Sequence, residues 1–270
     1  MILVFAGTSD ARDLAQRIKQ EDYPLLTTVV TESAAKSMQQ ADLPVRMGRL
    51  TDSETAELIQ TLRIQAVVDA SHPFAEEASK NAMAAAKAAG VPYIRFERES
   101  ASYPQHENVT IAKDYREAAE LAVERRGVIM LTTGSKTLQI FTDRLRGLPA
   151  TTLVARMLPR VDNMEKCEEL GIEQKNIIAM QGPFSKELNK ALYAHYNVTL
   201  MITKESGKAG AFDEKVEAAL EMGIDTVIIA RPPIAYGTMF SDFEGVLHEL
   251  ARTVKERVEG GTADGVSHGV

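Results

Sequence analysis

Met1-Ile2-Leu3-Val4-Phe5-Ala6-Gly7-Thr8-Ser9-Asp10-Ala11 opens the chain, and the fold turns on how this stretch is read. An unbroken apolar run with β-branched and aromatic members, closed by glycine, hydroxyls and an acid, reads as a strand that turns tightly into a helix. The helix follows at once: Ala11, Leu14, Ala15 and Ile18 stand at i, i+3, i+4 and i+7, one apolar stripe to lay on a sheet. Strand, tight turn and amphipathic helix in that order make the first half of a βαβ unit.

Outward from the opening the alternation continues. Strands are expected at 2–6, 26–30, 45–49, 66–70 and 91–96, with a further extended piece near 109–112 and helical period in the gaps. Thr51 and Glu54 form a capping box ahead of Ala56, Leu58, Ile59 and Leu62, and Gly90 closes the Ala-rich helix 75–89. The pattern then restarts. Strands are expected at 127–132, 151–156, 177–180, 198–202 and 226–230, helix N-caps at Asp162, Ser185 and Ser241, and helix ends at Gly171 and Gly223. The fold class is therefore α/β, with two domains that are each a mainly parallel sheet flanked by helices. The polar segment 97–108, with Pro104 and little periodicity, is the expected linker inside a boundary zone of 97–126. Residues 1–108 are assigned to the first domain, 109–259 to the second, and the apolar-poor stretch 260–270 to a flexible tail.

Composition limits what such a chain does. Its 31 Lys and Arg against 38 Asp and Glu leave a formal charge of −7, which argues against sequence-independent binding of nucleic acid and requires any anionic ligand to meet a local basic pocket. No stretch approaches the roughly 18 apolar residues of a membrane span, and the start lacks the basic region of a secretory signal. With Cys167 alone there is no intrachain disulfide and no cysteine metal cluster, and His106, His195, His248 and His268 have no spaced partners, so no metal site is expected. These features predict a cytoplasmic protein.

In open parallel sheets ligands bind at the carboxyl ends of strands, so the residues that follow each strand carry the functional reading. The first turn, with Gly7, Thr8, Ser9 and Asp10, opens a helix where backbone N–H groups and the helix dipole favour phosphate. It is not GxGxxG, and it reads either as a nucleotide loop or as a plain strand-to-helix turn in which a hydroxyl caps the helix. After the second strand, Thr31, Glu32 and Ser33 with Lys36 stand where a dinucleotide's adenosine ribose is read. Glu32 favours NADH, Ser33 and Lys36 leave NADPH open, and Glu32 with Lys36 also forms an ordinary i, i+4 pair. The fourth strand ends in Asp69-Ala70-Ser71-His72-Pro73, with Pro73 suited to a first helical turn and Ser71 and His72 expected to face the crevice.

The second half repeats the arrangement with Thr132-Thr133-Gly134-Ser135-Lys136. Gly134-Ser135-Lys136-Thr137 imitates the end of a Walker motif, but Gly127 lies too far upstream, and a P-loop is rejected. Arg156, Arg160, Lys204, Lys208 and Arg231 all follow or end strands of this half. Converging on one sheet edge of an acidic protein, they predict a pocket for a polycarboxylate or phosphate.

Taken together, Ala-Gly-Thr-Ser-Asp-Ala-Arg at 6–12, Asp-Ala-Ser-His-Pro-Phe-Ala at 69–75, Thr-Thr-Gly-Ser-Lys at 132–136, Gly-Pro-Phe-Ser at 182–185 and Thr-Lys-Glu-Ser-Gly at 203–207 resemble the precorrin-6A reductase family of cobalamin biosynthesis. The resemblance is collinear over about residues 1–235. It implies two Rossmann-like domains with the active site in the cleft between them, and reduction of a ring double bond in a corrin precursor by hydride from a nicotinamide plus a proton at the neighbouring carbon. The substrate it implies is a tetrapyrrole polycarboxylate, either metal-free precorrin-6A, used with NADPH in the aerobic branch, or cobalt-precorrin-6A, for which NADH also serves. On this reading Gly7, Thr8, Ser9, Asp10, Thr31, Glu32, Ser33, Ser71, Thr133, Gly134 and Ser135 meet the cofactor. Lys136, Arg156, Arg160, Lys204, Ser206, Gly207, Lys208 and Arg231 meet the substrate, and Lys204 or His72 supplies the proton unless an ordered water does. Ala6 stands where the family often has glycine, Glu205 where it often has Asp, and Glu32 sits awkwardly with an NADPH preference.

Three rivals remain. A short-chain reductase or epimerase needs Tyr-x-x-x-Lys, and no tyrosine here has lysine four residues on. A non-catalytic dinucleotide sensor needs no basic edge on a second domain. A methyltransferase using S-adenosylmethionine fits poorly with a phosphate-oriented first turn. The sequence leaves open the oligomeric state and which sheet the stretch 91–112 completes.

Overall fold

The computed structural model describes residues 1–100, 106–205 and 214–260, with side chains through 254. In chain order the elements are β1 (Ile2–Phe5), α1 (Ser9–Gln20), β2 (Leu25–Val29), α2 (Glu32–Gln40), β3 (Val45–Met47), α3 (Asp52–Thr61), β4 (Ala66–Asp69), α4 (Glu76–Ala88) and β5 (Tyr93–Phe96). They continue with β6 (Val109–Ala112), α5 (Tyr115–Arg125), β7 (Gly127–Leu131), α6 (Leu138–Leu145), β8 (Thr151–Met157), α7 (Val161–Glu169), β9 (Ile177–Ala179) and α8 (Lys186–Tyr196). The last are β10 (Leu200–Lys204), α9 (Glu214–Glu221), β11 (Asp225–Ile229), β12 (Met239–Phe240) and α10 (Phe243–Gly260). Each strand expected from apolar runs is present, and each sheet has six strands paired in parallel: β12-β5-β4-β1-β2-β3 and β6-β11-β10-β7-β8-β9. Among the described residues no helix is long and apolar enough to cross a membrane.

The alternation along the central strands explains why the first sheet is covered on both sides. Ile2 and Val4 of β1 pack with Val68 and Ile94 against α1, α2 and α10, while Leu3 and Phe5 pack with Val67 against α3 and α4. In the second sheet Met130, Val154, Met201 and Ile228 share a cluster with Tyr193 of α8 and Val216 of α9.

The expected division of the chain changes. The molecule forms one unit from Met1–Arg98 together with the chain from Pro233, and a second from Glu99–Pro232. The boundary thus lies at 98/99 rather than 108/109, and 233–259 does not belong to the second domain. β12 pairs with β5, Met239 opposite Arg95 and Phe240 opposite Phe96, and Val246, Leu247, Leu250 and Val254 of α10 are buried in the first core. The 91–112 stretch serves both sheets: β5 joins the first, between β4 and β12, and β6 forms an edge of the second.

The caps also divide. The Thr51–Glu54 box and the Ser185 cap are present. α7, however, is entered from Arg160, with Asp162 inside the first turn, and it is Asp242, not Ser241, that accepts from Gly245 N at the start of α10. Pro73 sits in a turn closed by Ala75 N donating to His72 O at 2.7 Å, ahead of α4 rather than in its first turn. The expected tail lies outside the described residues apart from Gly260, which ends α10.

Candidate active site

The order of strands decides where ligands go. In the first sheet the chain steps outward from β1 through β2 to β3, then returns to β4 on the other side of β1; in the second it steps from β7 to β9 and returns to β10 beside β7. Helices leaving such a pair diverge to opposite faces and leave a crevice at the carboxyl ends. The two switch points are therefore the turns after β1 and β4, and those after β7 and β10.

After β1, Ala6 N still donates to Thr28 O at 2.9 Å, and there the ladder stops. Gly7 has φ +139°, a conformation other residues adopt only with strain, and a Cβ built there would meet no atom within 4 Å. Thr8 is the N-cap of α1, its hydroxyl accepting from Ala11 N at 3.2 Å. Asp10 is held by Arg98 Nε at 2.7 Å. The backbone N–H groups of Gly7, Thr8, Ser9 and Asp10 donate to no acceptor among the described residues. Open space above a glycine, unpaired N–H groups and a helix N-terminus together fit a phosphate-bearing cofactor. After β2, Thr31 caps α2 by accepting from Ala34 N, Ser33 is exposed, and Glu32 pairs with Lys36 at 2.8 Å, which holds its carboxyl below the usual range.

The turn after β4 is organised from beneath. Asp69 and Arg95, partners across β4 and β5, are both fully buried and joined by Nη1–Oδ1 at 3.0 Å. Ser71 donates to the same Oδ1 from its amide at 3.0 Å and from its hydroxyl at 2.6 Å, and Tyr93 OH donates to Oδ2 at 2.7 Å. Arg95 also reaches Glu97 Oε2 at 2.6 Å and lies 4.7 Å from the centre of the Tyr236 ring. Burial opposes its charge, but Asp69 and Glu97 hold the guanidinium's pKa above its ordinary value. Ser71 is thus turned inward into this network and does not face the crevice as expected, because a buried carboxylate requires donors. His72 is exposed, with Nδ1 accepting from Phe74 N at 3.2 Å. Sequence reasoning missed the network. Its signal was present: a charged residue inside each of the apolar runs Ala66-Val67-Val68-Asp69 and Tyr93-Ile94-Arg95-Phe96.

In the second unit Lys204 ends β10, next to β7 and to β11. Burial, then Lys136 and Lys215, lowers its ammonium to about 8. Gly134 has φ +82° with nothing within 4 Å of its Cβ position, Ser135 donates to Asn163 Oδ1 at 2.5 Å, and Thr133 is 3% exposed. Arg231 lies against Glu205 at 3.1 Å and donates to Glu99 O at 3.1 Å. Arg156 is buried on β8, donating to Asn189 Oδ1 at 2.7 Å and stacking on Phe184 at 4.3 Å. Arg160 is exposed and paired with Asp162 at 2.8 Å. Lys204, Lys136 and Arg231 therefore stand on adjacent strand ends, whereas Arg156 is enclosed by α8 and its preceding loop. Ser206, Gly207 and Lys208 lie outside the described residues.

Comparison with known proteins gives this arrangement a family. The chain is 56% identical to the cobalt-precorrin-6A reductase of Priestia megaterium over 255 residues, covering 94% of this chain and 100% of that one. It is 36% identical to the cobalt-precorrin-6A reductase of Salmonella typhimurium over 238 residues, covering 87% and 89%. It is 31% identical to the precorrin-6A reductase of Rhodococcus erythropolis over 241 residues, covering 88% and 91%. A solved structure titled CobK precorrin-6A reductase has the same fold, with a TM-score of 0.75 at 24% identity over 93% of this chain and 96% of that one. Residues 1–251 match the family described as precorrin-6x reductase CbiJ/CobK, and the chain belongs to that family.

Proposed function

We propose that this protein is a cytoplasmic oxidoreductase of cobalamin biosynthesis that reduces a ring double bond of cobalt-precorrin-6A to the 6B form at the expense of NADH or NADPH. The observation that carries the reading is the full-length likeness to the Priestia megaterium enzyme, in a chain whose first switch point has an open glycine turn and unpaired N–H groups. The cobalt-bearing substrate is favoured because the relatives of 34–56% identity bear that name.

In this reading the Gly7–Asp10 turn holds the pyrophosphate, and Thr31, Glu32 and Ser33 face the adenosine ribose. A bound nicotinamide supplies the hydride. Lys204, whose pKa lies near 8, holds the proton for the neighbouring ring carbon. Lys136, Lys204 and Arg231 meet substrate carboxylates, where charge-assisted hydrogen bonds are strongest. Glu32 makes NADH the preferred donor: it accepts from ribose hydroxyls and repels a 2′-phosphate.

The test is incubation of the purified protein with precorrin-6A or cobalt-precorrin-6A and either dinucleotide, following the absorbance change as conjugation shortens. Turnover of the cobalt form is expected, and none with either substrate ends the proposal. In the same assay Glu32→Ala should raise kcat/KM for NADPH relative to NADH. An unchanged ratio makes Glu32 merely the partner of Lys36.

A further inference from the structure

The turn between β7 and α6 is chemically incomplete. α6 alone among the described α-helices has neither a side-chain cap nor an acidic residue in its first turn. Its N-cap residue is Thr137, whose hydroxyl is buried and makes no hydrogen bond, and the hydroxyl of Thr133 at the other end of the turn is in the same condition. Such hydroxyls are uncommon, because water is lost with nothing returned. The backbone N–H groups of Thr133, Gly134, Ser135, Lys136 and Thr137 also donate to no acceptor among the described residues. Every unmet group can donate a hydrogen bond, and Lys136 of the turn lies close enough to Lys204 for the two positive charges to act on each other. The first switch point differs: there Thr8 caps α1, Asp10 lies in its first turn, and no hydroxyl is left over.

We propose that the β7–α6 turn is a binding site for one oxyanion group, a carboxylate or a phosphate. Backbone N–H groups around Gly134 and the hydroxyls of Thr133 and Thr137 hold it, with Lys136 providing charge. Ser135, tied to Asn163, keeps the turn in shape, and open space over Gly134 admits the anion. The site itself does not depend on the proposed activity. Its natural occupant, a substrate carboxylate or a dinucleotide phosphate, does rest on that reading.

The test follows amide resonances of the ¹⁵N-labelled full chain during titration with inorganic phosphate and with acetate, comparing wild type with Thr133→Val/Thr137→Val. The Gly134 and Ser135 amides should shift in wild type, and the double variant should bind about tenfold more weakly, the loss expected for a hydrogen bond to a charged group. Its Tm should not fall, since valine replaces hydroxyls that have no partner. Unshifted amides, undiminished binding in the double variant, or a lowered Tm would each overturn the proposal. Steady-state kinetics then assign the occupant. A raised KM for the tetrapyrrole alone identifies a substrate carboxylate, a raised KM for the dinucleotide alone identifies a phosphate, and no change in either removes the site from catalysis. If no variant turns over either substrate, the reductase reading fails while the titration still decides the site.

Discussion

Lys204 is a lysine whose burial carries a cost to stability. A lysine at its ordinary pKa of 10.5 is a poor proton donor near neutrality; burial, then the charges of Lys136 and Lys215, brings this one to about 8. If it delivers the proton, kcat/KM falls as pH rises through about 8, and Lys204→Met lowers kcat more than cofactor affinity while abolishing that limb. A pH profile unchanged in the variant would end its role as acid. Stability moves the other way. The folded-state pKa is depressed, so the stability linked to this group is present above about 10.5 and lost as pH falls through about 8. Lys204→Met should therefore raise Tm at pH 7 in a thermal melt. The sequence pointed to Lys204 by its place at a strand end. It could not show that Arg156, chosen on the same ground, is enclosed by Asn189 and Phe184, because that depends on a helix some thirty residues further on.

Between elements, the Asp69–Arg95 pair joins β4 to β5 and fixes the turn that carries Ser71 and His72. Such a pair is weak evidence of net stabilisation, since both ions lose their water, but losing one partner leaves a buried charge uncompensated. Arg95→Met should cost about 3–5 kcal/mol in urea unfolding. Asp69→Asn combined with it should recover part of that loss. A cost near zero for Arg95→Met would mean that water reaches the carboxylate. Composition of the two strands betrayed the charges but not their pairing. Register is set by the sheet as a whole, and Asp69 meets Arg95 only because β4 and β5 lie side by side in parallel.

For the whole molecule, the consequence of topology is that the first unit is closed by the end of the chain. A chain ending at Pro232 lacks β12 and α10, and with them Val246, Leu247, Leu250 and Val254 of the first core. At roughly 1.5–3 kcal/mol for each buried side chain, the loss rivals the whole stability of a typical domain. Hydrogen exchange of this truncated chain should show protection lost from β1, β4 and β5 and kept in β7, β10 and β11. Retained protection in β1 would mean that the first sheet stands without α10. By itself, the sequence determined every described strand but β12, the helices and the turns that could hold ligands, because hydrophobic period and turn chemistry act over a few residues. Only the tertiary structure decided which sheet each edge strand joins, that Ser71 turns inward, and that the hydroxyls of Thr133 and Thr137 are left unpaired. Those outcomes depend on partners distant in the chain, and β12, a two-residue edge strand, has no period of its own to announce it.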